Sequence, residues 1–444
     1  MGDKITPYSP PLKSWKALKE VNDAYNNGIV EAMRSDKPVI TATAMIPQQI
    51  PNAFDAVYIA GEWYGSICGF FNDVALCETA EKCGFPHELC SYARMTLGSM
   101  IQKRGFLGNY PKPAAVLGAE GLCSVQTKWF EALARYDNAP FFAFDSAPIM
   151  SQDVKFWGHD AVRDSVEFVT RQCGNMIEFL EWATDQKLIE EKLIEATITM
   201  HRNEDLWDVM IELWGRKPSP VTIRNLFTFE NLIISLPCTD GATKVMEAAI
   251  EEMSDRIEKG INGLSNEEIR LLWNAQPGWY ILNVFKYFES KGATFVGSPY
   301  LELWGTKYRY EWMGDAVPDW FKEWKEPNSV DECLWQIAKG IVAMEARPRL
   351  DPSIAMIKKM AERTQADGAV WHAVRGCKGV SYGALGEREA LRDELGLPGF
   401  VMEGSPADPR DFSEAPALRQ ARIFVEQVKR IKSRKKAKIA RKRA

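Results

Sequence analysis

Three cysteines far apart in the chain could do chemistry together: Cys90 in HELCSYARMTLGS, Cys123 in GAEGLCSVQTKWFEAL and Cys377 in GAVWHAVRGCKGVSYG. Each follows an apolar run or a helical stretch, so each thiol stands at the end of an element. Ionised thiols are metal ligands, and several can share one soft metal centre. None of the three has a second cysteine at the two-residue spacing of a zinc ribbon. Taken singly, such cysteines most often become buried core thiols.

Other residues compete for a role near them. Cys77, Cys83 and Cys90 lie six and seven residues apart, offsets that do not share one helical face, and Gly84-Phe85-Pro86 interrupts the segment. Cys68 and Cys77 read as packing thiols, with a place beside a shared metal centre as the alternative, and Cys173, Cys238 and Cys333 as core. His372, five residues before Cys377, could donate a proton or hydrogen-bond a thioester; the alternative is a strand histidine satisfied by the backbone. His87 offers a donor behind Cys90, or a surface residue at a helix start. Glu62, Trp63 and Tyr64 form a polar-aromatic turn able to wall an aromatic substrate, with core packing the alternative. Arg94, one helical turn past Cys90, could neutralise a charged centre or pair with an acid.

The elements that must position these residues alternate between helix and strand. Leu12, Trp15, Leu18, Val21 and Tyr25 recur at helical spacing and predict an opening helix. PVITATAMIP (38–47) reads as a strand, and AFDAVYIAGEWYGSICGFF as a helix-rich continuation. PAAVLG (113–118), a helix ending near Asp137 and FFAFD follow in βαβ order. Residues 164–277 read as mostly helical, broken at RKPSPV by proline. A second series then runs through YILNVFKYFESKG, ATFVGS, DGAVWHAV, REALRDELG and PGFVME. The expected organisation is an N-terminal helical segment (1–36), a first α/β domain (37–163), a helical region (164–277), a second α/β domain (278–428) and a basic tail (429–444). Cys123 and Cys377 each fall just past the carboxyl end of a strand, the edge where open α/β sheets bind ligands.

Composition sets the class. A chain of 444 residues, 46% hydrophobic and 26% charged, is long enough for several cores. No apolar run reaches the roughly 18 residues that cross a bilayer, and the opening residues lack a secretory apolar core. Nine scattered cysteines argue against a disulfide framework and for a reducing cytoplasm. The net charge of −5 conceals ten Lys or Arg in residues 429–444; without them the body carries about −15. The tail reads as a solvated extension of the last helix, with an acidic partner subunit as another destination, and no nucleic-acid motif accompanies it. There is neither a phosphate loop nor a GxGxxG after a strand, so no bound nucleotide is expected.

The three cysteine segments, together with GEWYGSICGFF, WDVMIELWGRKPSPVTIRNLF and the HAVRGC run ahead of Glu403, resemble the 2-hydroxyacyl-CoA dehydratase and ATP-dependent benzoyl-CoA reductase family over nearly the whole chain. The resemblance implies two doubly wound, Rossmann-like parallel-sheet domains with a cluster in the cleft between them. It implies one 4Fe-4S cluster held by Cys90, Cys123 and Cys377, its fourth position open, with His372, Glu62 and Tyr64 as candidate catalytic neighbours. By the same likeness the partners would be a homologous smaller cluster subunit, an ATP-hydrolysing activator with its own 4Fe-4S cluster, and ferredoxin upstream. The substrate would be an acyl-CoA, with neither nucleic acid nor membrane involved. Length and the extended C-terminal helix look most like the larger subunit of the reductases, implying low-potential electron delivery to benzoyl-CoA or a methylated analogue in anaerobic aromatic degradation. A 2-hydroxyacyl-CoA dehydratase acting through a ketyl radical is the alternative; a subunit that only relays electrons is a second.

Overall fold

The computed structural model describes residues 10–121, 123–146, 158–313, 317–345 and 350–443. The first nine residues of the N-terminal segment and the last of the tail lie outside that set, as do Ala147 and Pro148 after FFAFD. Two four-stranded, fully parallel sheets organise the chain. The first has the order β2-β1-β3-β4, with β1 at Val39–Ala42, β2 at Val57–Ala60, β3 at Ala115–Glu120 and β4 at Phe141–Asp145. The second repeats it as β6-β5-β7-β8, with β5 at Ile269–Asn274, β6 at Ala293–Gly297, β7 at Gly368–Val374 and β8 at Gly399–Gly404. Strands such as VITA and ATFVG are buried along their whole length because helices cover both faces. The fold is therefore the expected α/β class with two doubly wound sheets.

Two strands were hidden in the sequence. β2 lies inside the stretch read as helix-rich, since VYIA runs without a break into the apolar helix Gly61–Phe70. β5 lies inside the stretch read as helical, because IRLLWN places an arginine where a buried strand should be apolar. Arg270 is nonetheless 1% exposed. Its guanidinium donates to the carbonyls of Thr364 (2.7 Å), Gly215 (2.7 Å) and Arg216 (3.1 Å) and pairs with Glu267. A fully bonded charge can be buried, whereas an unpaired one cannot.

One core packs the first sheet against the helices His159–Thr184 and Val330–Glu345; another packs the second sheet against Glu190–Trp214 and Asp240–Glu258. The last helix runs from Glu414 to Arg443. Ala417, Ala421, Phe424, Val425 and Val428 anchor it. Beyond them Lys429 pairs with Glu268, and Lys432 with Asp367, so the tail begins as a docked helix. No helix of the described residues is long and apolar enough to cross a membrane.

Candidate functional site

The carboxyl ends of both sheets face one cavity of about 120 Å³. Ala44 and Met45 come from beyond β1, Glu62 from beyond β2 and Cys123 from beyond β3. Gln276 follows β5, Tyr300 and Trp304 follow β6, and Cys377 follows β7. Cys90 enters from the first residue before the helix Ser91–Gln102. The three cysteines, up to 287 positions apart in the chain numbering, thus line the same cavity.

Backbone geometry aims each sulfur. Cys90 and Cys377 cap helices at Ser91 and Lys378, while Cys123 lies three residues before the helix Gln126–Asp137. The amides of Tyr92 and Ala93 interact with the Cys90 thiol, and those of Val125 and Gln126 with Cys123. These amides favour a thiolate, but burial and the neighbouring cysteines oppose it. Burial, then Cys377 and Cys123, push Cys90 up to about 12; burial and Cys377 push Cys123 up to about 11. Without a cation these thiols stay protonated, so a bound metal would have to supply the charge that ionises them. Cys68, Cys77, Cys173, Cys238 and Cys333 do not line the cavity.

Gly376 permits the close approach of the two halves. Its φ of 74° is a left-handed conformation suited to glycine, and an added Cβ would stand 3.0 Å from the Cys90 backbone. Gly376→Ala is therefore expected to move Cys377 away from Cys90. The measurable result is a loss of about 1–3 kcal/mol in stability from strain.

Glu62 forms part of the wall. Its carboxylate accepts from Gln126 Nε2 (2.6 Å), the Ala44 amide (2.8 Å) and the Thr43 hydroxyl. Burial still raises its pKa against these hydrogen bonds. Tyr64 does not reach the cavity: its hydroxyl bonds Ser99 Oγ at 2.7 Å and its ring packs on Phe106 and Tyr110. His372 lies behind the lining, Nδ1 against the Gln276 carbonyl at 2.8 Å, and burial lowers its pKa to about 4. It is neutral near pH 7 and does not serve as an imidazolium donor. Among the described residues, three buried polar atoms of the lining find no hydrogen-bond partner: Gln126 Oε1, Gln276 Oε1 and Trp304 Nε1. Unsatisfied groups of this kind cost free energy unless a ligand or water meets them.

Arg94 does not face the cavity. It reaches across to the second half, pairing Nη1 with Asp408 at 2.6 Å and with Glu81 at 2.7 Å. His87 joins the same network through Glu81 (3.2 Å) and Asp411 (2.9 Å), and Arg375 reaches Asp411 at 3.4 Å. Among the described residues, the ligand-type atoms crowded within 4.8 Å of one another belong to Glu81, His87 and Asp408 rather than to the three cysteines. Arg94 and Arg410 already neutralise those carboxylates.

Two parallel α/β units joined by a cysteine-lined cavity at their facing strand ends define a two-domain protein with a ligand site in the crevice. Its family follows from sequence comparison: the chain belongs to the 2-hydroxyglutaryl-CoA dehydratase, D-component family, whose model matches residues 43–428. Among curated relatives, the (R)-2-hydroxyisocaproyl-CoA dehydratase alpha subunit of Clostridioides difficile is 26% identical, over 87% of this chain and 88% of its own. The (R)-phenyllactyl-CoA dehydratase alpha subunit of Clostridium sporogenes is 24% identical, over 90% and 91%. A benzoyl-CoA reductase subunit of Thauera aromatica is 23% identical, over 79% and 78%. Each of these relatives is named as one subunit of an enzyme.

Proposed function

We propose that this chain is the cluster-carrying, substrate-binding subunit of a 2-hydroxyacyl-CoA dehydratase complex. The observation that carries the reading is the meeting of Cys90, Cys123 and Cys377 at one cavity between the two sheets. Their donor set suits an iron–sulfur cluster: all three are free cysteines that a cationic centre would ionise. Their sulfurs do not all lie within 4.8 Å of one another. A single tetrahedral zinc with bonds near 2.3 Å would need sulfurs about 3.8 Å apart, so the three thiols as they stand do not form a zinc site. When bound, a 4Fe-4S cluster with three protein ligands supplies a low-potential electron and one iron open to a ligand.

The chain's own residues then do the rest. Tyr92, Trp129, Leu303 and Trp304 close the site with apolar surface and exclude water. Gln126 Oε1 and Gln276 Oε1 are acceptors and Trp304 Nε1 is a donor; a 2-hydroxyl can donate to one of the glutamines, and a thioester carbonyl can accept from Trp304. A carboxylate whose pKa is raised is a better base, and Glu62 is the wall residue suited to take the proton from C3 of the acyl group. The dehydratase names among the relatives support the same substrate class. Aromatic acyl-CoA reduction is the second reading, supported by the aromatic wall and by the benzoyl-CoA reductase relative.

In either reading the chain works in the reducing cytoplasm with a homologous smaller cluster subunit, and an ATP-hydrolysing activator fed by ferredoxin delivers the electron. The test is turnover by the complete anaerobic complex. Dehydration of a 2-hydroxyacyl-CoA with ATP needed only to start supports the proposal. Benzoyl-CoA consumed with ATP in proportion to product would replace it with the second reading, and no reaction with either thioester leaves electron relay as the role.

A further inference from the structure

Behind the cavity lies a buried acid that the sequence did not single out. Glu230 joins the helices Ile223–Phe229 and Asn231–Ile234 and is 1% exposed. Among the described residues no ion pair includes it, and neither carboxyl oxygen makes a well-formed hydrogen bond. The phenol of Tyr300 is the side chain that interacts with the carboxyl directly, and Tyr92 feels its charge. Both phenols belong to cavity-lining residues, and Tyr300 is close enough to Cys377 to sense it electrostatically. Tyr92 accepts from Trp279 Nε1 at 2.5 Å and meets Glu230 only through its field. Tyr300 is the phenol that both touches the Glu230 carboxyl and belongs to the cavity lining.

A carboxyl removed from water with no cation beside it is stable only in its neutral form. Burial raises its pKa to about 8, against a smaller lowering by Tyr300. A neutral acid buried behind a cavity-facing phenol is a proton donor held in reserve. We propose that Tyr300 donates the proton that turns the departing 2-hydroxyl into water, and that Glu230 resupplies it.

The inference rests on the dehydratase reading and assigns the second proton in that reaction. The C2–O bond breaks with its electron pair on the oxygen, which takes the Tyr300 proton and leaves as water, while the C3–H pair becomes the new C2=C3 bond. The Glu230 carboxyl passes its proton to the phenolate, restoring Tyr300. The proton lost from C3 goes to Glu62, and exchange with solvent returns Glu62 to carboxylate and Glu230 to acid. The sum is loss of one water from the acyl group, with no net change of charge or redox state. Tyr300 would be catalytic because it touches the reacting oxygen, and Glu230 a positioning residue that acts through it.

The experiment compares Tyr300→Phe and Glu230→Gln with wild type in the complete, activated complex. General acid catalysis typically contributes about 10²–10⁴-fold. Tyr300→Phe is expected to lower kcat within that range, with KM changed less than about threefold, iron content intact and the cluster's electron paramagnetic resonance signal retained. Glu230→Gln should lower kcat less and change the solvent deuterium isotope effect. Difference infrared spectroscopy gives a readout separate from activity: a protonated-carboxyl C=O stretch in wild type at pH 7 that vanishes in Glu230→Gln and shifts in Tyr300→Phe. If Glu230→Gln does not fold, Tyr300→Phe carries both tests. Absence of that band in wild type, or unchanged kcat in Tyr300→Phe, overturns the inference and leaves the dehydratase reading standing. A wild-type complex that dehydrates no 2-hydroxyacyl-CoA overturns that reading and the inference with it.

Discussion

Serine at Cys90, Cys123 or Cys377 is expected to abolish turnover and strip most of the bound iron from the anaerobically purified protein. Serine at Cys173 or Cys333 should leave both in place. The contrast is physical. All five are free thiols, but Cys173 and Cys333 are wholly enclosed in the first core, where burial raises their pKa values with no second cysteine as a cause. Cys90 lies within electrostatic reach of Cys377 and Cys123, and Cys123 within reach of Cys377, across the cavity. A hydroxyl is a far weaker ligand for cluster iron than a thiolate. The measurements are iron and acid-labile sulfide per chain, visible absorbance and the spin signal of the reduced protein. Full iron content in any one of the three serine variants would remove that residue from the site; iron loss in Cys173→Ser would point to a different centre. Thermal unfolding separates these outcomes from general loss of structure.

Much of this arrangement could be read in the sequence, for reasons tied to particular residues. Short apolar runs such as PAAVLG and GAVWHAV give β3 and β7, and both helices that follow them carry helical periodicity. That grammar sets Cys123 and Cys377 at the same edge of two similar sheets. Cys90 is less legible from position alone, because no strand precedes it; it reaches the cavity by capping a helix that packs between elements. The two hidden strands mark the limit of pattern reading. Arg270 disguises β5 because its partners, Thr364, Gly215 and Arg216, are distant in sequence. Glu230 escaped for the same reason. TFENL looks like an exposed helix turn, and only the packing of Tyr300 and Tyr92 around it reveals a buried acid without a cation. Tyr64 shows the reverse case, a polar aromatic two residues from the cavity-lining Glu62 that the fold turns into the core.

Arg94 gives the other large expected effect, on stability and on the join between the halves. Its side chain is 1% exposed, and it holds Asp408, whose side chain is fully enclosed, together with Glu81 and the Leu89 carbonyl. Removing one partner of a buried pair leaves the other charge uncompensated, typically costing about 3–5 kcal/mol. Arg410 also binds Asp408 at 2.6 Å and would shelter it in part, so Arg94→Met is expected at the lower end of that range. The pair ties the helix that begins after Cys90 to the segment after β8, and Arg375, two residues before Cys377, ties into the same network through Asp411. Loss of Arg94 should therefore reduce iron retention as well as stability, although Arg94 does not line the cavity.

The pH dependence has a definite sign. Burial raises the Asp408 pKa, but hydrogen bonds from Arg410 and Arg94 outweigh it and hold the carboxyl at about 2, against 3.8 when unperturbed. The unfolded chain binds the proton more readily, so the stabilisation is fully present above about pH 4 and is lost as pH falls towards about 2. Urea unfolding of the purified chain at a series of pH values should show wild type losing stability across that window. Asp408→Asn, already lacking the charge, should start lower and fall less. Parallel curves for wild type and Asp408→Asn would show that the carboxylate does not carry this part of the stability. A double-mutant cycle with Arg94→Met then measures how much of the loss belongs to the pair across the two halves.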